Sequence, residues 1–400
     1  MEIADNSATV AALFSSGTNR SAQLNNLALR ELDKGLGQFT SKNYELAITS
    51  FTRALRLSPG TDTAVNAYDY MARAQLTQGD TDAAIASYKN ALKIDPKRDD
   101  LHALLGNIYT TEGSFDEARG EYELAVKHNP VAANRYSLGQ GYLATGRLDE
   151  AKAQFEQVRQ LSPKDPFGDF GLGQVYAKQE NYDAAIDSFK SAISIKSDYW
   201  GAYAEMGYAM VDSGDVEQAQ EVANNLYAND TTLSNDLSQY IYEQSKPKMT
   251  SVYASDLYAL FPSTLGPGTL VSGINSYLAT ANAEKTVSMV FQFSKQMDAA
   301  SVENVFNWKI ERATGSGRAD GYNYDIQLKD TEVSLASTPA AIYYDQKDMT
   351  ATVLFKISQN STATGTIDPS HINFTFSGKD VLGLSMDKSA DMYSGFSWFA

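Results

Sequence analysis

Residues 105–130 read LGNIYTTEGSFDEARGEYELAVKHNP, and residues 138–163 read LGQGYLATGRLDEAKAQFEQVRQLSP. Both stretches share a leading Leu-Gly, a glycine at mid-length, an Asp-Glu-Ala triplet, an aromatic residue four positions later and a final proline. Six copies of this pattern run from about Ala28 to Leu226, at the period of roughly 34 residues that is typical of helix–turn–helix solenoids. Because a solenoid presents a continuous surface, the pattern predicts binding more strongly than catalysis.

The repeated positions have a packing explanation, since each first helix carries a small residue where it crosses the second helix. These residues are Gly35, Ala72, Gly106, Gly139, Gly173 and Gly207, and they face Ala47, Ala84, Ala118, Ala151, Ala185 and Ala219. An aromatic residue fills the space beside each close approach, namely Phe51, Tyr88, Tyr122, Phe155 and Phe189. The sixth repeat has Ala223 at that position, and residues 231–245 are expected to form one more helix that closes the stack.

The motif resembles the tetratricopeptide repeat (TPR) over about half of the chain. The resemblance implies an N-terminal α-solenoid of about six helix pairs, with a concave groove lined by one face of each first helix. The groove residues that it implies are Asp69, Arg73, Asn107, Tyr136, Gln140, Phe170, Gln174 and Tyr208. Amides beside aromatic rings suit an extended peptide, because amides bond its backbone and rings cover its side chains. The alternative is that several of these residues only pack against neighbouring helices.

The groove lacks the set of basic residues that holds a C-terminal carboxylate in chaperone-binding TPR proteins. Arg73 stands nearly alone beside Asp69. The resemblance therefore argues against a chaperone adaptor of that kind.

After Gln244 the apolar pattern changes to the alternation that is typical of strands. The alternating residues are Val287, Met289, Phe291 and Phe293, then Ala351, Val353, Phe355 and Ile357, then Ile372, Phe374 and Phe376. We expect an earlier strand from Lys248 to Tyr253, and together these patterns predict an antiparallel β-sandwich. Residues 291–302, FQFSKQMDAASV, resemble the opening of bacterial Ig-like domains of S-layer and other surface proteins. That resemblance covers roughly residues 247–400, although the insertion at 254–284 departs from it.

The predicted fold class is therefore multidomain α plus β, in four segments. Residues 1–20 are expected to form a polar arm without a fold of its own, residues 21–230 the TPR solenoid, residues 231–246 a capping helix and linker, and residues 247–400 an Ig-like β-sandwich. The chain ends in Trp398-Phe399-Ala400. Trp398 and Phe399 either complete the last strand or dock on a neighbouring molecule.

Composition excludes several classes of function. The chain of 400 residues has a formal net charge of −16, with −11 in residues 1–250 and −5 in the remainder, which argues against nucleic acid and anionic membrane surfaces as partners. It has no cysteine and three histidines outside metal-ligand spacing, so we expect no metal, no cofactor and no catalytic site. Asp380, Asp387 and Asp391 are interpreted as turn residues and not as calcium ligands. No segment has the length of a membrane helix, and the acidic N-terminus argues against a cleavable signal peptide.

Three hypotheses of function follow. The first is a structural building block at a bacterial cell surface or outside the cell, in which the groove docks a peptide or a neighbouring subunit, head to tail, in a filament or lattice. The second is an intracellular, cytoplasmic TPR scaffold or assembly factor that binds a different protein. The third is an enzyme with an unrecognised site at the domain boundary.

Overall fold

A computed structural model describes residues 6–253, 268–312, 330–333, 335–368 and 372–394. The chain divides into two compact units, Met1–Ser238 and Gln239–Ala400. The division falls inside the helix that was predicted to close the stack, a few residues before the predicted linker.

The first unit is a row of helices joined by short turns. They are α1 Asn6–Thr40, α2 Tyr44–Leu57, α3 Asp62–Thr77, α4 Thr81–Ile94, α5 Asp99–Thr111, α6 Phe115–His128, α7 Ala132–Ala144, α8 Leu148–Leu161, α9 Phe167–Lys178, α10 Tyr182–Ile195, α11 Trp200–Ser213, α12 Val216–Tyr227 and α13 Thr231–Gln244. The predicted six helix pairs and closing helix are thereby confirmed. Consecutive helices pack together, and the first helices α5, α7, α9 and α11 also contact one another. These first helices form the inner row of the solenoid.

Helix α1 differs from the sequence prediction at its start. It begins at Asn6 and is 35 residues long, so it includes most of the segment that was expected to be an arm without a fold. The physical reason is the absence of a strong helix breaker, since residues 6–34 contain no proline and a single glycine, Gly17.

The crossing points of the helix pairs are packed as the repeat pattern predicts. A Cβ atom added to Gly106 would lie 2.5 Å from the Tyr122 ring, and one added to Gly139 would lie 2.6 Å from the Phe155 ring. Phe155 is fully buried and Tyr122 nearly so. Only glycine allows this approach, because a methyl group at either position would overlap the ring.

In the sixth pair, a side chain from the closing helix occupies the place of the missing aromatic residue. Ala223 leaves a gap beside Gly207, and Leu237 of α13 fills it, since a Cβ added to Gly207 would lie 2.4 Å from a Leu237 methyl group. Leu237 is completely buried. The capping helix therefore completes the last repeat and does not simply cover it.

The second unit contains antiparallel sheets. Its described strands are β1 Met249–Tyr253, β2 Thr269–Leu270, β3 Glu284–Phe293, β4 Trp308–Arg312, β5 Ala341–Asp345, β6 Thr350–Ser358, β7 Thr366–Ile367, β8 Ile372–Phe376 and β9 Met392–Ser394, with short helices α14 Val271–Ile274 and α15 Ala299–Glu303. The sheets have the strand orders β1-β3-β6-β5, β4-β8-β9 and β2-β7. The three alternating segments of the sequence correspond to β3, β6 and β8, and the expected earlier strand corresponds to β1.

Residues of the two larger sheets share one core. Phe374 of β8 lies 5.2 Å from Phe291 of β3 and 5.3 Å from Phe355 of β6, measured between ring centroids. The antiparallel sheets and their core are observed, whereas the assignment to the Ig-like domains stays a prediction. Trp398 and Phe399 lie outside the described residues, so their docking role also stays a prediction.

Asp380, one of the three aspartates interpreted as turn residues, holds the turn that follows it. Asp380 accepts hydrogen bonds from the backbone N–H groups of Leu382 and Leu384, at 2.9 and 2.8 Å. Its other oxygen lies 2.7 Å from the ammonium group of Lys295, and both side chains are almost completely buried. Sequence analysis missed Lys295 because a lysine between a strand and a turn is usually exposed.

Candidate functional site

The first helices α3 to α11, whose exposed side we call the inner face of the solenoid, carry the eight predicted groove residues, of which Asp69 and Phe170 are buried. Asp69 and Arg73 lie on α3, Asn107 on α5, Tyr136 and Gln140 on α7, Phe170 and Gln174 on α9, and Tyr208 on α11. They fall into two groups, which differ in whether their polar atoms bond to residues of the same repeat or of a neighbouring repeat.

On α3 and α5, hydrogen bonds within a single repeat engage the predicted groove residues. The Arg73 guanidinium contacts both carboxylate oxygens of Asp69, at 2.8 and 3.3 Å. This bond raises the pKa of Arg73, against the effect of burial. The Asn107 carbonyl accepts a hydrogen bond of 2.8 Å from the Tyr122 hydroxyl. These bonds join residues of the same repeat, and Arg73 and Asn107 stay exposed beside them.

On α7, α9 and α11, polar groups bond between repeats. The Gln140 amide donates a hydrogen bond of 2.9 Å to the Gln174 carbonyl oxygen. Gln174 also bonds to the Glu205 side chain on α11. Gln140, Gln174 and Glu205 therefore form a polar ladder that crosses three consecutive first helices.

Aromatic rings accompany this ladder. Tyr136 lies 5.5 Å from Phe167, and Tyr199 lies 6.1 Å from Phe167 and 4.9 Å from Phe170, between ring centroids. Phe170 is 9% exposed, whereas Phe167 is 45% exposed. Phe170 thus anchors the cluster to the helices, and Phe167 offers an open aromatic surface.

Glu205 is the acidic end of the ladder, and its surroundings disfavour its charge. Burial raises the pKa of Glu205, while the bond from Gln174 and the charge of Lys178 act in the opposite direction. Burial also raises the pKa of Tyr199 to about 12, and Tyr136 and Glu205 contribute to that rise. The Glu205 carboxyl acts in the same sense on Tyr136 and on Tyr208, where burial is again the main cause of the raised pKa. Three tyrosines therefore lie within electrostatic range of one carboxyl group.

Sequence analysis missed Glu205, Phe167 and Tyr199. Glu205 lies one residue outside the repeating groove column, and Phe167 and Tyr199 lie at helix starts, where the repeat imposes no residue type. One signal was available, because Glu205 is the single charged residue from Tyr199 to Val211.

A second buried polar cluster lies beside the inner face, on α5 and α6. His102 Nδ1 lies 2.6 Å from a Glu121 carboxylate oxygen, and Nε2 lies 3.2 Å from the Pro96 carbonyl. Burial alone would lower the pKa of His102, but these two hydrogen bonds and the charges of Glu121 and Asp99 outweigh burial and raise it. Both ring nitrogens face acceptors, so the imidazolium form satisfies the site best.

Among the described residues, no three His, Asp or Glu side chains are placed to hold a metal ion. Nor does any helix in the described part of the chain have the length and apolarity to cross a membrane.

Comparisons with known proteins agree with the helical pattern. Two family models described as tetratricopeptide repeat match residues 75–140 and 136–199. The chain is 29% identical over 124 residues to the heat shock protein STI1 of Saccharomyces cerevisiae, which covers 30% of this chain and 21% of that protein. It is 26% identical over 191 residues to the peroxisomal targeting signal receptor of Debaryomyces hansenii, which covers 43% of this chain and 30% of the receptor.

A solved tetratricopeptide repeat protein from Parabacteroides merdae aligns with a TM-score of 0.49 at 19% identity, over 55% of this chain and 89% of that protein. The chain spans less than a third of the length of the curated relatives described above. Residues 75–199 match the tetratricopeptide repeat models, and the repeat register and the helix pairs of that stretch agree with the match.

Proposed function

We propose that this protein is a non-catalytic docking module, which holds an extended segment of another polypeptide across α7, α9 and α11. TPR proteins mediate protein–protein interactions and act as scaffolds, which supports the general role. The finer proposal, a peptide on this part of the inner face, rests on the ladder of Gln140 and Gln174.

The ladder carries the proposal because its bonds leave binding capacity. A carboxamide has two N–H donors and a carbonyl with two lone pairs. That bond uses one Gln140 N–H and one lone pair of the Gln174 oxygen, so the Gln140 oxygen and a Gln174 N–H stay able to bond a peptide backbone. Asn107 and Arg73 also keep unused donors, but their bonds stay within their own repeats and do not join neighbouring first helices.

The dimensions fit an extended segment. Packed helices lie about 8–10 Å apart, and an extended chain rises about 3.3 Å per residue. A segment of about six residues therefore reaches from α7 to α11. Its backbone would meet the amides, and its alternate side chains would meet Phe167 and Tyr199.

The names of the relatives agree with this role in general terms. One is a receptor for a peroxisomal targeting signal, and another is an Hsp70-Hsp90 organizing protein from Glycine max. We propose docking of a polypeptide segment in this chain also, without assigning those partners to it.

The test uses the full-length protein and an array of short extended peptides. We expect the double variant Gln140→Ala/Gln174→Ala to lose binding to the peptides that the wild type retains. The matched control is Gln157→Ala/Gln160→Ala, which removes another hydrogen-bonded glutamine pair, 3.3 Å apart, from the exposed face of α8. If both double variants bind as the wild type does, the inner face is not the docking site.

Self-assembly at a cell surface stays a prediction. It depends on the aromatic residues Trp398 and Phe399 and on export from the cell. Sedimentation of the full chain with and without residues 393–400 tests the assembly, and a monomer at high concentration in both cases would reject it.

A further inference from the structure

We propose that Lys295 and Asp380 of the second unit form an intramolecular amide bond, with loss of one water molecule. The two groups already meet in one buried contact, since Nζ of Lys295 lies 2.7 Å from Oδ2 of Asp380 and the side chains are 2% and 0% exposed. The bond would tie the residue that follows β3 to the turn between β8 and β9. It is a covalent modification of the chain, separate from docking on the solenoid, and three observations carry it.

The first observation is the hydrogen bonding of the Lys295 nitrogen. Nζ donates to the backbone carbonyl oxygens of Tyr242 and Ser245, at 2.7 and 2.9 Å. Among the described residues, Oδ2 of Asp380 has no hydrogen-bond partner, so its contact with Nζ lacks hydrogen-bond geometry. A neutral amine has two N–H groups and one lone pair. It therefore satisfies both carbonyl oxygens and keeps its lone pair for the carboxyl group.

The second observation is the bonding of the Asp380 carboxyl group. Its Oδ1 oxygen accepts hydrogen bonds from the backbone N–H groups of Leu382 and Leu384, at 2.9 and 2.8 Å. Two backbone donors on one oxygen draw electron density from the carboxyl carbon, and they stabilise the negative charge that this oxygen gains when an amine attacks. The turn therefore supplies an oxyanion hole at Oδ1, and Oδ2 is the oxygen that leaves.

The third observation is the exclusion of water from the pair. Phe293 and Met297, two positions to either side of Lys295, are 1% and 0% exposed. The Tyr242 ring covers the same nitrogen, with its centroid 4.7 Å from Nζ. Such surroundings favour transfer of a proton from the ammonium group to the carboxylate, because two neutral groups then replace two buried charges. They also favour the condensation, since its second product is water.

The reaction balances within the pair. After proton transfer to Oδ2, the Nζ lone pair attacks Cγ of Asp380. This carbon lies within about 4 Å of Nζ, because a carbon–oxygen bond is only about 1.2 Å long. The Nζ–Cγ bond forms, and Oδ1 carries the negative charge between its two backbone donors. One proton then passes from Nζ to the Oδ2 hydroxyl group, the Cγ–Oδ2 bond breaks and water leaves. In the product, Oδ1 is the amide oxygen.

The experiment is intact-mass spectrometry of the full-length protein, incubated in the folded state at neutral pH and then denatured. We expect a mass that is one water molecule below the mass of the sequence. A tryptic digest should contain residues 286–309 joined to residues 380–388, since trypsin does not cleave after a lysine whose amine is part of an amide. A mass equal to that of the sequence, with cleavage after Lys295, would reject the bond. A lost water without the joined peptides would reject it as well.

Two variants complete the test. Lys295→Arg should keep the full mass, because a guanidinium group does not attack the carboxyl carbon, and a lost water in this variant would overturn the assignment. Lys356→Arg is the matched control, since the Lys356 ammonium lies 3.3 Å from a Glu284 carboxylate oxygen but both side chains are more than half exposed. It should lose water as the wild type does. The wild-type digest decides the question even where Lys295→Arg does not fold.

Discussion

The two halves of the inner face occupy the same repeat positions and use them differently. On α3 and α5, the polar groups of Arg73 and Asn107 bond inside their own repeats. On α7 and α9, Gln140 and Gln174 bond across the repeats. Bonds inside a repeat fix a side chain against its own helix pair, whereas bonds between repeats join separate helices into one continuous surface.

On α5, α7 and α9 the cause lies in the aromatic residue that fills the crossing point. In the third repeat this residue is Tyr122, and its hydroxyl donates to the Asn107 side chain. In the fourth and fifth repeats it is Phe155 and Phe189, which have no hydroxyl. The amides one position after Gly139 and Gly173 therefore find no such partner and reach each other. On α3 the crossing ring is Tyr88, whose hydroxyl has no hydrogen-bond partner among the described residues, and Arg73 bonds Asp69 of its own helix.

The largest expected effect comes from removing a core ring. Phe155→Ala should lower the free energy of unfolding by about 3–5 kcal/mol, because the ring is completely buried. It should also abolish peptide docking, since Tyr136 packs on Phe155 at 5.7 Å. Chemical denaturation and peptide binding well below the unfolding transition are the measurements.

Phe51→Ala is the control for that variant, because Phe51 is equally buried in the first repeat. It should destabilise the fold by a similar amount and leave docking intact, since repeats contact only their neighbours. Loss of docking in both variants would show that the two halves of the inner face are not independent.

The next largest effect is expected when the hydroxyl group of the crossing-point ring is exchanged between the two halves of the inner face. Phe155→Tyr should bring a hydroxyl to Gln140 and weaken docking, with a stability change within about 1 kcal/mol. Tyr122→Phe should free Asn107, cost about 0.5–1.5 kcal/mol of stability and leave docking unchanged. Peptide titrations of both variants measure these changes in docking. Unchanged affinity of Phe155→Tyr would contradict the explanation that a core hydroxyl sets the partner of the amide.

A pH dependence should separate the two halves further. The folded state raises the pKa of His102 above its value in the unfolded chain, which is about 6.5. Protonated His102 therefore stabilises the folded state fully below that value, and this stabilisation is lost as the pH rises through the folded pKa. The free energy of unfolding, measured by chemical denaturation, should fall between pH 6 and pH 9, and this fall should be smaller in His102→Gln. Peptide docking on α7 to α11 should stay constant over the same range. An equal decline in the variant would exclude His102 as its source.

The smallest expected effect concerns the stability of the helices α7 to α11 when no peptide is bound. Burial raises the pKa of Glu205, so the folded state favours the neutral acid. The contribution of this group to the free energy of unfolding therefore decreases as the pH rises through the folded pKa. Glu205→Gln should therefore unfold at a slightly higher temperature than the wild type at pH 7, and at nearly the same temperature below about pH 4, near the unfolded value. A lower melting temperature at pH 7 would show that the charge stabilises the fold.

Sequence periodicity was sufficient for the helix pairs, because each small residue recurs in six copies and the ring in five. It also gave Gln140 and Gln174 one shared repeat position, and their amides are hydrogen-bonded to each other, whereas their role in docking stays a prediction. It could not foresee Glu205, which lies beside that position, or the role of Leu237, which replaces a ring from another helix. Such contacts depend on three-dimensional proximity between repeats, which a pattern within each repeat does not encode.

The most direct test of the central claim is the crystal structure of the full-length protein with the peptide of highest affinity in the array. The account predicts an extended segment across α7, α9 and α11, bonded to Gln140 and Gln174. A peptide that lies on α3 and α5, or on the outer helices, would contradict it.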